Sequence, residues 1–344
     1  MLNGHGDDIF RYDDIRINFS SNVYAHFDHR ALYAYLATRM DCLAHYPEPS
    51  PERLERMLAE VYGTDAREVM VTAGATEAIY LTAQAYRRSR SAILQPTFSE
   101  YADACRIHEH RISNVFLHNA SHSREDAWTP QGCEMVWTCC PDNPTGRVWP
   151  KDELLRLVAE NPSTLFVVDA SYAPYTEAPL ISPRSAVEMP NLLILRSMTK
   201  EFAIPGLRLG YMIGRTEVLE PMRRMRMPWS VNQPAQDAGA WLLAHRDAYR
   251  LPLGEMMRER QRMSQALARL GIVEVWPSDS HILLCRLRIG DAAHLKDYLA
   301  TEHGLLIRDA SNFEGLDASY FRIAVQTPAE DDELIKGINE WMAH

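Results

Sequence analysis

The middle of the chain alternates short apolar runs with longer amphipathic ones. Runs typical of strands lie at 69–72, 92–94, 135–139, 165–168, 192–195 and 209–213, and amphipathic runs follow the first three at 75–87, 99–108 and 151–160. This alternation predicts an α/β fold, a mostly parallel central sheet between helices. Ligands of such sheets bind beyond the carboxyl ends of the strands, so we expect the chemistry in the turns after these runs.

The C-terminal part has a different pattern, which predicts a second unit. A helix-like stretch at 238–270 is followed by a strand at 282–287, a helix at 292–302, a strand at 320–325 and a helix from Asp331. This order indicates a smaller α/β domain that packs with the N-terminal segment. The 344 residues suffice for two domains, since domains usually have roughly 100–200 residues. We predict a large domain at 38–238 and a small domain made of 1–37 and 239–344.

Composition restricts the partners of the chain. Lys and Arg total 36 against 46 for Asp and Glu, a net charge of -10 that argues against binding to nucleic acid or to an anionic membrane surface. The N-terminal residues lack the pattern of a signal peptide, and no apolar run reaches the roughly 18 residues of a membrane helix. Six cysteines without CxxC or metal-ligand spacing predict free thiols in a reducing cytoplasm and no metal site. A small-molecule substrate is the remaining expectation.

Polar residues follow four of the six predicted strands. In chain order they are Ala75 and Thr76 at a helix start, Asn143 in a tight turn, Asp169 and Tyr172 after the run at 165–168, and Lys200 and Arg208 after the run at 192–195. Free N–H groups at a helix start favour a phosphate, and a carboxylate next to a buried strand is unusual unless something needs it. Taken one at a time, each residue also fits an ordinary turn, cap or solvated surface position.

Taken together, these residues predict a cofactor that has an aldehyde, a basic ring nitrogen and a phosphate. Pyridoxal 5′-phosphate (PLP) has all three groups. In this interpretation Lys200 binds the aldehyde covalently, and Asp169 keeps the ring nitrogen protonated so that the ring accepts electrons. Asn143 and Tyr172 would hydrogen-bond the ring oxygen. The predicted catalytic residues are therefore Lys200, Asp169 and Tyr172.

Four motifs also resemble the class I/II aminotransferase family of fold type I, in the order that the family has them. They are Asn143-Pro144-Thr145-Gly146, Asp169-Ala170-Ser171-Tyr172, Ser197-Met198-Thr199-Lys200 and Gly206-Leu207-Arg208-Leu209-Gly210-Tyr211. The resemblance covers nearly the whole chain. It implies a PLP-dependent enzyme with the fold type I architecture, and a homodimer with shared active sites.

The resemblance implies further site residues. For the cofactor phosphate it implies a clamp made of Ser197, Thr199, Arg208 and the backbone of Ala75 and Thr76, in which the arginine fork binds two oxygens. Phe98 would stack on the ring, and Tyr46 would reach the phosphate of the neighbouring subunit. The residues implied to contact the substrate are Arg322, on its α-carboxylate, with Asn143, Asn22 and His5.

Within the family, two reactions compete. Stretches at 5–6, 18–22, 227–232 and 307–308 look more like threonine-phosphate decarboxylase of cobalamin biosynthesis than like histidinol-phosphate aminotransferase. The chain departs from the decarboxylase pattern at Asp7, which stands in place of a glycine, and in the segment 22–25. A carboxylate near the substrate phosphate would repel it, so decarboxylation and transamination both stay open.

Two other classes of protein fit the sequence less well. A PLP-binding protein without turnover is disfavoured because Lys200, Asp169, Arg208 and Arg322 are all present. A nicotinamide dehydrogenase is disfavoured because no G-x-G-x-x-G motif follows a strand.

Overall fold

A computed structural model of the chain describes residues 7–116 and 128–342. The strands in chain order are β1 Ile17–Asn18, β2 Val69–Thr72, β3 Arg90–Gln95, β4 Arg111–Phe116, β5 Met135–Cys139, β6 Leu165–Asp169, β7 Leu192–Ser197, β8 Gly210–Gly214, β9 Val273–Val275, β10 Ile282–Leu287, β11 Leu305–Leu306, β12 Arg308–Asp309 and β13 Tyr320–Ala324. The helices are α1 Arg30–Ala37, α2 Glu52–Tyr62, α3 Ala75–Ala85, α4 Glu100–Ile107, α5 Lys151–Glu160, α6 Pro183–Glu188, α7 Met198–Glu201, α8 Thr216–Met225, α9 Gln233–Ala244, α10 Leu253–Arg269, α11 Ala292–His303 and α12 Pro328–Trp341.

The predicted central sheet is confirmed. It has seven strands in the order β2-β8-β7-β6-β5-β3-β4. The pairs from β7 to β4 are parallel, whereas β8 is antiparallel to both of its neighbours, β2 and β7. Strands β5 and β6 are buried along their whole length, as expected for parallel strands that helices cover on both faces.

Successive residues of these strands pack into two different cores, one on each face of the sheet. Val136 belongs to one hydrophobic cluster, and its neighbours Met135 and Trp137 belong to the other. Residues of α2, α5 and α9 complete the first cluster, and residues of α3, α4 and α8 complete the second. The side-chain period of two in a strand explains this division, and the layers confirm the predicted α/β class.

A second, four-stranded antiparallel sheet has the order β12-β13-β10-β9. The N-terminal segment joins this part of the molecule, because β1 pairs in parallel with β11 and Phe19 lies in the same hydrophobic cluster as Leu267 of α10. We propose two domains on this basis, as in the sequence prediction. Helix α9 crosses the predicted domain boundary at 238, and its buried residues pack on the large sheet. The first part of α10 packs on the large sheet and its last part on the small one, so the clusters favour a domain boundary inside α10.

The predicted helix over 238–270 is wrong in one respect, because two helices with a break between them occupy this stretch. Helix α9 ends at Ala244, a 3-10 helix spans Arg246–Tyr249, and α10 begins at Leu253. Pro252 explains the break, since a proline lacks the N–H that a helix interior needs and disfavours helical geometry in the residue before it. Within residues 7–116 and 128–342, no helix is long and apolar enough to cross a membrane.

Candidate active site

A cavity of about 560 Å³ lies at the carboxyl ends of the central strands. The predicted site residues that line it are Asn22, Ala75, Thr76, Phe98, Asn143, Asp169, Tyr172, Ser197, Thr199, Lys200, Arg208 and Arg322. Tyr46 is not among them: it is 83% exposed, and its ring packs 5.2 Å from that of Trp229. His5 lies outside the described residues. One cavity thus brings together nearly all of the residues that the sequence analysis placed at strand ends.

One end of the cavity is built to hold an anion. Helix α3 begins there, directly after Gly74, which has a φ of 86°. A glycine has no side chain that could cap the free N–H groups of the helix. A Cβ on Gly74 would lie 3.0 Å from Nη2 of Arg208, so the guanidinium reaches the same helix start. An uncapped helix N-terminus beside an arginine is a binding site for a phosphate group.

The close approach of β8 to this helix start requires a glycine. A Cβ on Gly210 would lie 2.6 Å from the backbone nitrogen of Ala75, much closer than any side chain tolerates. The neighbouring strand β7 leads into the short helix α7, where Thr199 is buried and its N–H donates to the carbonyl of Leu209 at 3.2 Å. Ser197 and Thr199 are therefore fixed beside the same end of the cavity.

Asp169 places a buried carboxylate in the cavity at the end of β6. Its Oδ2 accepts a hydrogen bond from the Tyr101 hydroxyl at 2.8 Å, and its Oδ1 accepts one from the Ser171 N–H at 2.9 Å. Burial raises the pKa of Asp169, and these hydrogen bonds and the nearby Lys200 oppose that rise. Such a carboxylate binds strongly to a cation or to a protonated ring nitrogen, because a positive charge stabilises a carboxylate that burial has removed from water.

Lys200 holds a buried amine in the same cavity. Its Nζ donates to Oδ1 of Asn22, and Nδ2 of Asn22 donates to the hydroxyl of Tyr172 at 2.5 Å. Burial, followed by the positive charge of Arg322, lowers the pKa of Lys200 to about 8. An amine with this pKa is in part neutral near neutral pH, which is what a nucleophilic lysine requires.

Arg322 provides a buried cation on β13, at the other side of the cavity. Its Nη1 donates to Oδ1 of Asn143 at 2.6 Å, and its Nη2 donates to the carbonyl of Ser20. Its Nε is buried and has no hydrogen-bond partner among the described residues. Burial lowers the pKa of Arg322 to about 10, so the group remains charged at neutral pH. A buried donor without a partner is costly, and a carboxylate in the cavity would satisfy it.

The structure adds site residues that the sequence prediction did not assign. Arg308 of β12 lies opposite Arg322 in the register of β12 and β13, and both line the cavity. The Arg308 Nη2 donates to Oδ1 of Asn312 at 2.7 Å. Asp7 also lines the cavity and adds a negative charge that faces Lys200 and Arg322. The sequence analysis singled out the stretch 307–308 but gave Arg308 no role, which becomes apparent only when its pairing with Arg322 is known.

The chain belongs to the family described as aminotransferase class I and II, whose model matches residues 14–338. It is similar to a threonine-phosphate decarboxylase of Salmonella typhimurium, with 30% identity over 94% of this chain and 91% of that protein. It is also similar to a histidinol-phosphate aminotransferase of Desulfitobacterium hafniense, with 28% identity over 86% of this chain and 83% of that protein.

Solved structures of the same two kinds of enzyme also match this chain. The crystal structure of L-threonine-O-3-phosphate decarboxylase from Porphyromonas gingivalis matches with a TM-score of 0.91 and 38% identity, over 95% of this chain and all of that one. A histidinol-phosphate aminotransferase from Sinorhizobium meliloti, solved in complex with pyridoxal-5′-phosphate, shares the fold with a TM-score of 0.86, 19% identity and a coverage of 100% and 95%. The protein is a PLP-dependent enzyme of fold type I, as the sequence predicts.

The residues of the cavity fit this cofactor. The open N-terminus of α3 and Arg208 suit its phosphate, and the buried carboxylate of Asp169 suits its pyridine nitrogen. The amine of Lys200 suits its aldehyde, while the unpaired Nε of Arg322 is left for an anion of the substrate. When bound, PLP supplies an electron sink for the electron pair of a bond broken at the substrate Cα.

Proposed function

We propose that the protein is a PLP-dependent decarboxylase of a phosphorylated amino acid, most similar to L-threonine-O-3-phosphate decarboxylase and acting in cobalamin biosynthesis. The observation that carries the proposal is the presence of Arg308 and Arg322 in register beside one cavity. A substrate with an α-carboxylate and a phosphate has two anions, and two arginine forks match them. The 38% identity to the Porphyromonas gingivalis decarboxylase supports the same choice.

In this proposal the residues of the cavity have separate tasks. Lys200 binds the cofactor aldehyde and, once released, carries a proton to or from the substrate, as its lowered pKa permits. Asp169 holds a proton on the ring nitrogen, and Phe98 packs against the ring. Arg322 orients the α-carboxylate, because Asn143 and the Ser20 carbonyl hold its guanidinium in place.

Binding of the second anion depends on a balance between Arg308 and Asp7. Both side chains line the cavity, and their charges are opposite. The exposed Asp7 carboxylate weakens the attraction for a phosphate dianion, since it is a like charge on the lining of the same cavity. We therefore assign the discrimination between phosphorylated and other substrates to these two residues.

Transamination of the histidinol-phosphate aminotransferase type is the second candidate. It needs a base that moves a proton at the substrate Cα, and the amine of Lys200, with a pKa lowered to about 8, is suited to that step. The two reactions differ in which substrate bond stands perpendicular to the cofactor ring. Histidinol phosphate has no carboxylate, so Arg322 controls this orientation through a carboxylate only when the substrate is an α-amino acid.

We also propose that the enzyme is a cytoplasmic homodimer in which Tyr46 completes the site of the neighbouring subunit. Tyr46 is exposed within one chain, and its partner ring Trp229 is also exposed. Tyr33, Leu43 and Met227 are further exposed apolar residues. A surface of this kind is typical of an interface that a second copy covers. The six cysteines are free, which supports a reducing compartment.

Two assays test the reaction. We expect release of carbon dioxide from O-phospho-L-threonine, and no formation of pyridoxamine phosphate with glutamate or histidinol phosphate. Rapid formation of pyridoxamine phosphate without carbon dioxide would instead establish the aminotransferase. Arg308→Gln should lower kcat/KM for O-phospho-L-threonine roughly 10- to 100-fold, the usual worth of a hydrogen bond to a charged group.

A third assay tests the site itself. The protein should absorb visible light when PLP is bound, and borohydride should trap a covalent link to Lys200 that the Lys200→Ala variant lacks. A link that borohydride still traps in this variant would place the attachment at another lysine.

A further inference from the structure

His281 is a buried histidine that lies directly behind the residues of the cavity. It precedes β10, it is 1% exposed, and its backbone carbonyl accepts a hydrogen bond from the Val325 N–H at 2.9 Å. Its ring stacks on the ring of Tyr175, with centroids 3.9 Å apart and planes 22° from parallel. The backbone of His281 is thus fixed to the segment after β13, and its ring is fixed by an aromatic neighbour.

The hydrogen bond of this ring defines its tautomer. Nε2 lies 3.4 Å from the backbone carbonyl oxygen of Asn22, which can only accept, so Nε2 carries the proton. Nδ1 is buried, and within residues 7–116 and 128–342 no group forms a hydrogen bond with it. Burial lowers the pKa of His281 to about 3, so the ring is neutral at the pH values at which enzymes work. His281 does not line the cavity, so its neutral ring is unsuited to proton transfer with a substrate. The ring can, however, orient Asn22, which does line the cavity.

Tyr175 holds Tyr24, two residues after Asn22 in the N-terminal segment. Its hydroxyl accepts a hydrogen bond from the Tyr24 N–H at 2.9 Å and donates one to the carbonyl of Lys200 at 2.7 Å. The stacked pair His281 and Tyr175 therefore holds Asn22 at its carbonyl and Tyr24 at its N–H. It also ties this segment to the backbone of the lysine.

Asn22 transmits this arrangement to the cavity. Its side chain lies between two groups of the site, because Oδ1 accepts from Nζ of Lys200 and Nδ2 donates to the hydroxyl of Tyr172. The Asn22 amide can form both hydrogen bonds only if its backbone is held in place, since a shift of the backbone breaks both of them.

We propose that His281 and Tyr175 are positioning residues that hold Asn22 against the amine of Lys200, and so set the protonation state and direction of that amine. The proposal rests on the proposed role of Lys200 in binding the cofactor. A hydrogen bond from Nζ to Asn22 favours the charged ammonium. Loss of this bond lets the pKa of the lysine fall further. The other charged groups that face Nζ are Arg322 and Arg208, which lower its pKa, and Asp7 and Asp169, which raise it.

Variants of His281 separate the ring from the hydrogen bond. His281→Phe keeps an aromatic ring on Tyr175 but has no donor, whereas His281→Gln keeps a donor that can reach Asn22. The matched control is His110→Phe. His110 is also buried, and its Nε2 bonds the backbone carbonyl of Ala83 at 2.8 Å, at a place that does not line the cavity. Tyr175→Phe removes a single hydroxyl and serves as a second variant if His281→Phe folds poorly.

The measurement is the pH dependence of PLP uptake by the apoprotein, followed by the visible absorbance, since only the neutral amine attacks the aldehyde. We expect the midpoint to fall by about half a pH unit in His281→Phe and in Tyr175→Phe, the effect of one hydrogen bond. His281→Gln and His110→Phe should keep the midpoint of the parent.

Two results would overturn the proposal. One is a midpoint that stays with the parent in both His281→Phe and Tyr175→Phe, and the other is an equal fall in the control His110→Phe. A failure of the proposed site is distinct from both, because Lys200→Ala would then still take up PLP with the visible absorbance of a covalent link.

Discussion

Replacement of Gly210 by alanine should damage the phosphate end of the cavity and leave the rest of the fold in place. Gly210 lies between Thr72 and Ser197 in the register of β2, β8 and β7. The added Cβ would lie 2.6 Å from the nitrogen of Ala75, 2.7 Å from the carbonyl carbon of Gly74 and 2.9 Å from the carbonyl oxygen of Arg196. All three atoms belong to backbone, so none can move aside by changing a rotamer.

The size of the effect follows from these distances. Heavy atoms in contact prefer a separation of about 3.5–4.0 Å, so the start of α3 has to move by close to 1 Å relative to β8. Overpacking of this kind costs about 1–3 kcal/mol in the free energy of unfolding. The moving atoms include the N–H groups assigned to the cofactor phosphate. We therefore expect the Kd for PLP to rise roughly 10-fold or more, since each 1.4 kcal/mol is a factor of about 10.

Gly206→Ala is the matched control, because Gly206 lies four residues away in the same motif and a Cβ there would meet no atom of the described part of the chain within 4 Å. Urea unfolding of the apoproteins gives the loss of stability, and titration with PLP, followed by its absorbance, gives the Kd. The Gly206→Ala variant should match the parent in both measurements. A Gly210→Ala variant with the stability and Kd of the parent would refute the reasoning.

Three further predictions concern other parts of the chain. Burial, followed by a hydrogen bond with Glu259, raises the pKa of Asp331 to about 8. The folded protein then binds more protons than the unfolded chain between about pH 4 and 8, so this group lowers stability as pH rises through that window. Asp331→Asn should remove up to about 1.4 kcal/mol per pH unit of this slope in urea unfolding at several pH values; an unchanged slope would contradict the shift. Arg226→Met should cost about 2 kcal/mol in the same assay, because buried Glu55 loses a charged partner at 2.8 Å but keeps Arg223 at 3.1 Å. Tyr46→Phe should weaken PLP retention on dialysis, and light scattering that finds a monomer would contradict the shared site.

The sequence predicted those parts of the structure that depend on neighbouring residues. The strands β5, β6 and β7 carry continuous apolar runs, and the side chains after them come together because parallel strands end at the same edge. Strand β4 was not predicted. It is an edge strand in which partly exposed and exposed positions alternate, so its pattern is weak in the sequence.

Residues whose roles depend on distant contacts could not be found in this way. The sequence singled out 307–308 by resemblance, but the place of Arg308 in the site follows only from its register with Arg322. The role of Tyr101 follows only from its hydrogen bond to a carboxylate 68 residues later. His281 lies just before a strand and has no motif of its own, yet it contacts a residue 259 positions earlier. Local patterns do not specify which remote segments will meet, because that depends on the packing of the whole chain.

The pairing of the two ends of the chain at the cavity has a consequence for biogenesis. Arg322 bonds the carbonyl of Ser20 across 302 residues, and Lys200 bonds Asn22 across 178. A ribosome exposes Ser20 and Asn22 before the central strands and Arg322 after them, so a growing chain can form the central sheet and the phosphate end before the rest of the site. Contacts of such long range also form slowly, because the entropy of closing a large loop must be overcome first. A chain that ends before β13 would therefore hold the residues assigned to the cofactor and lack Arg322, the carboxylate-binding half of the site.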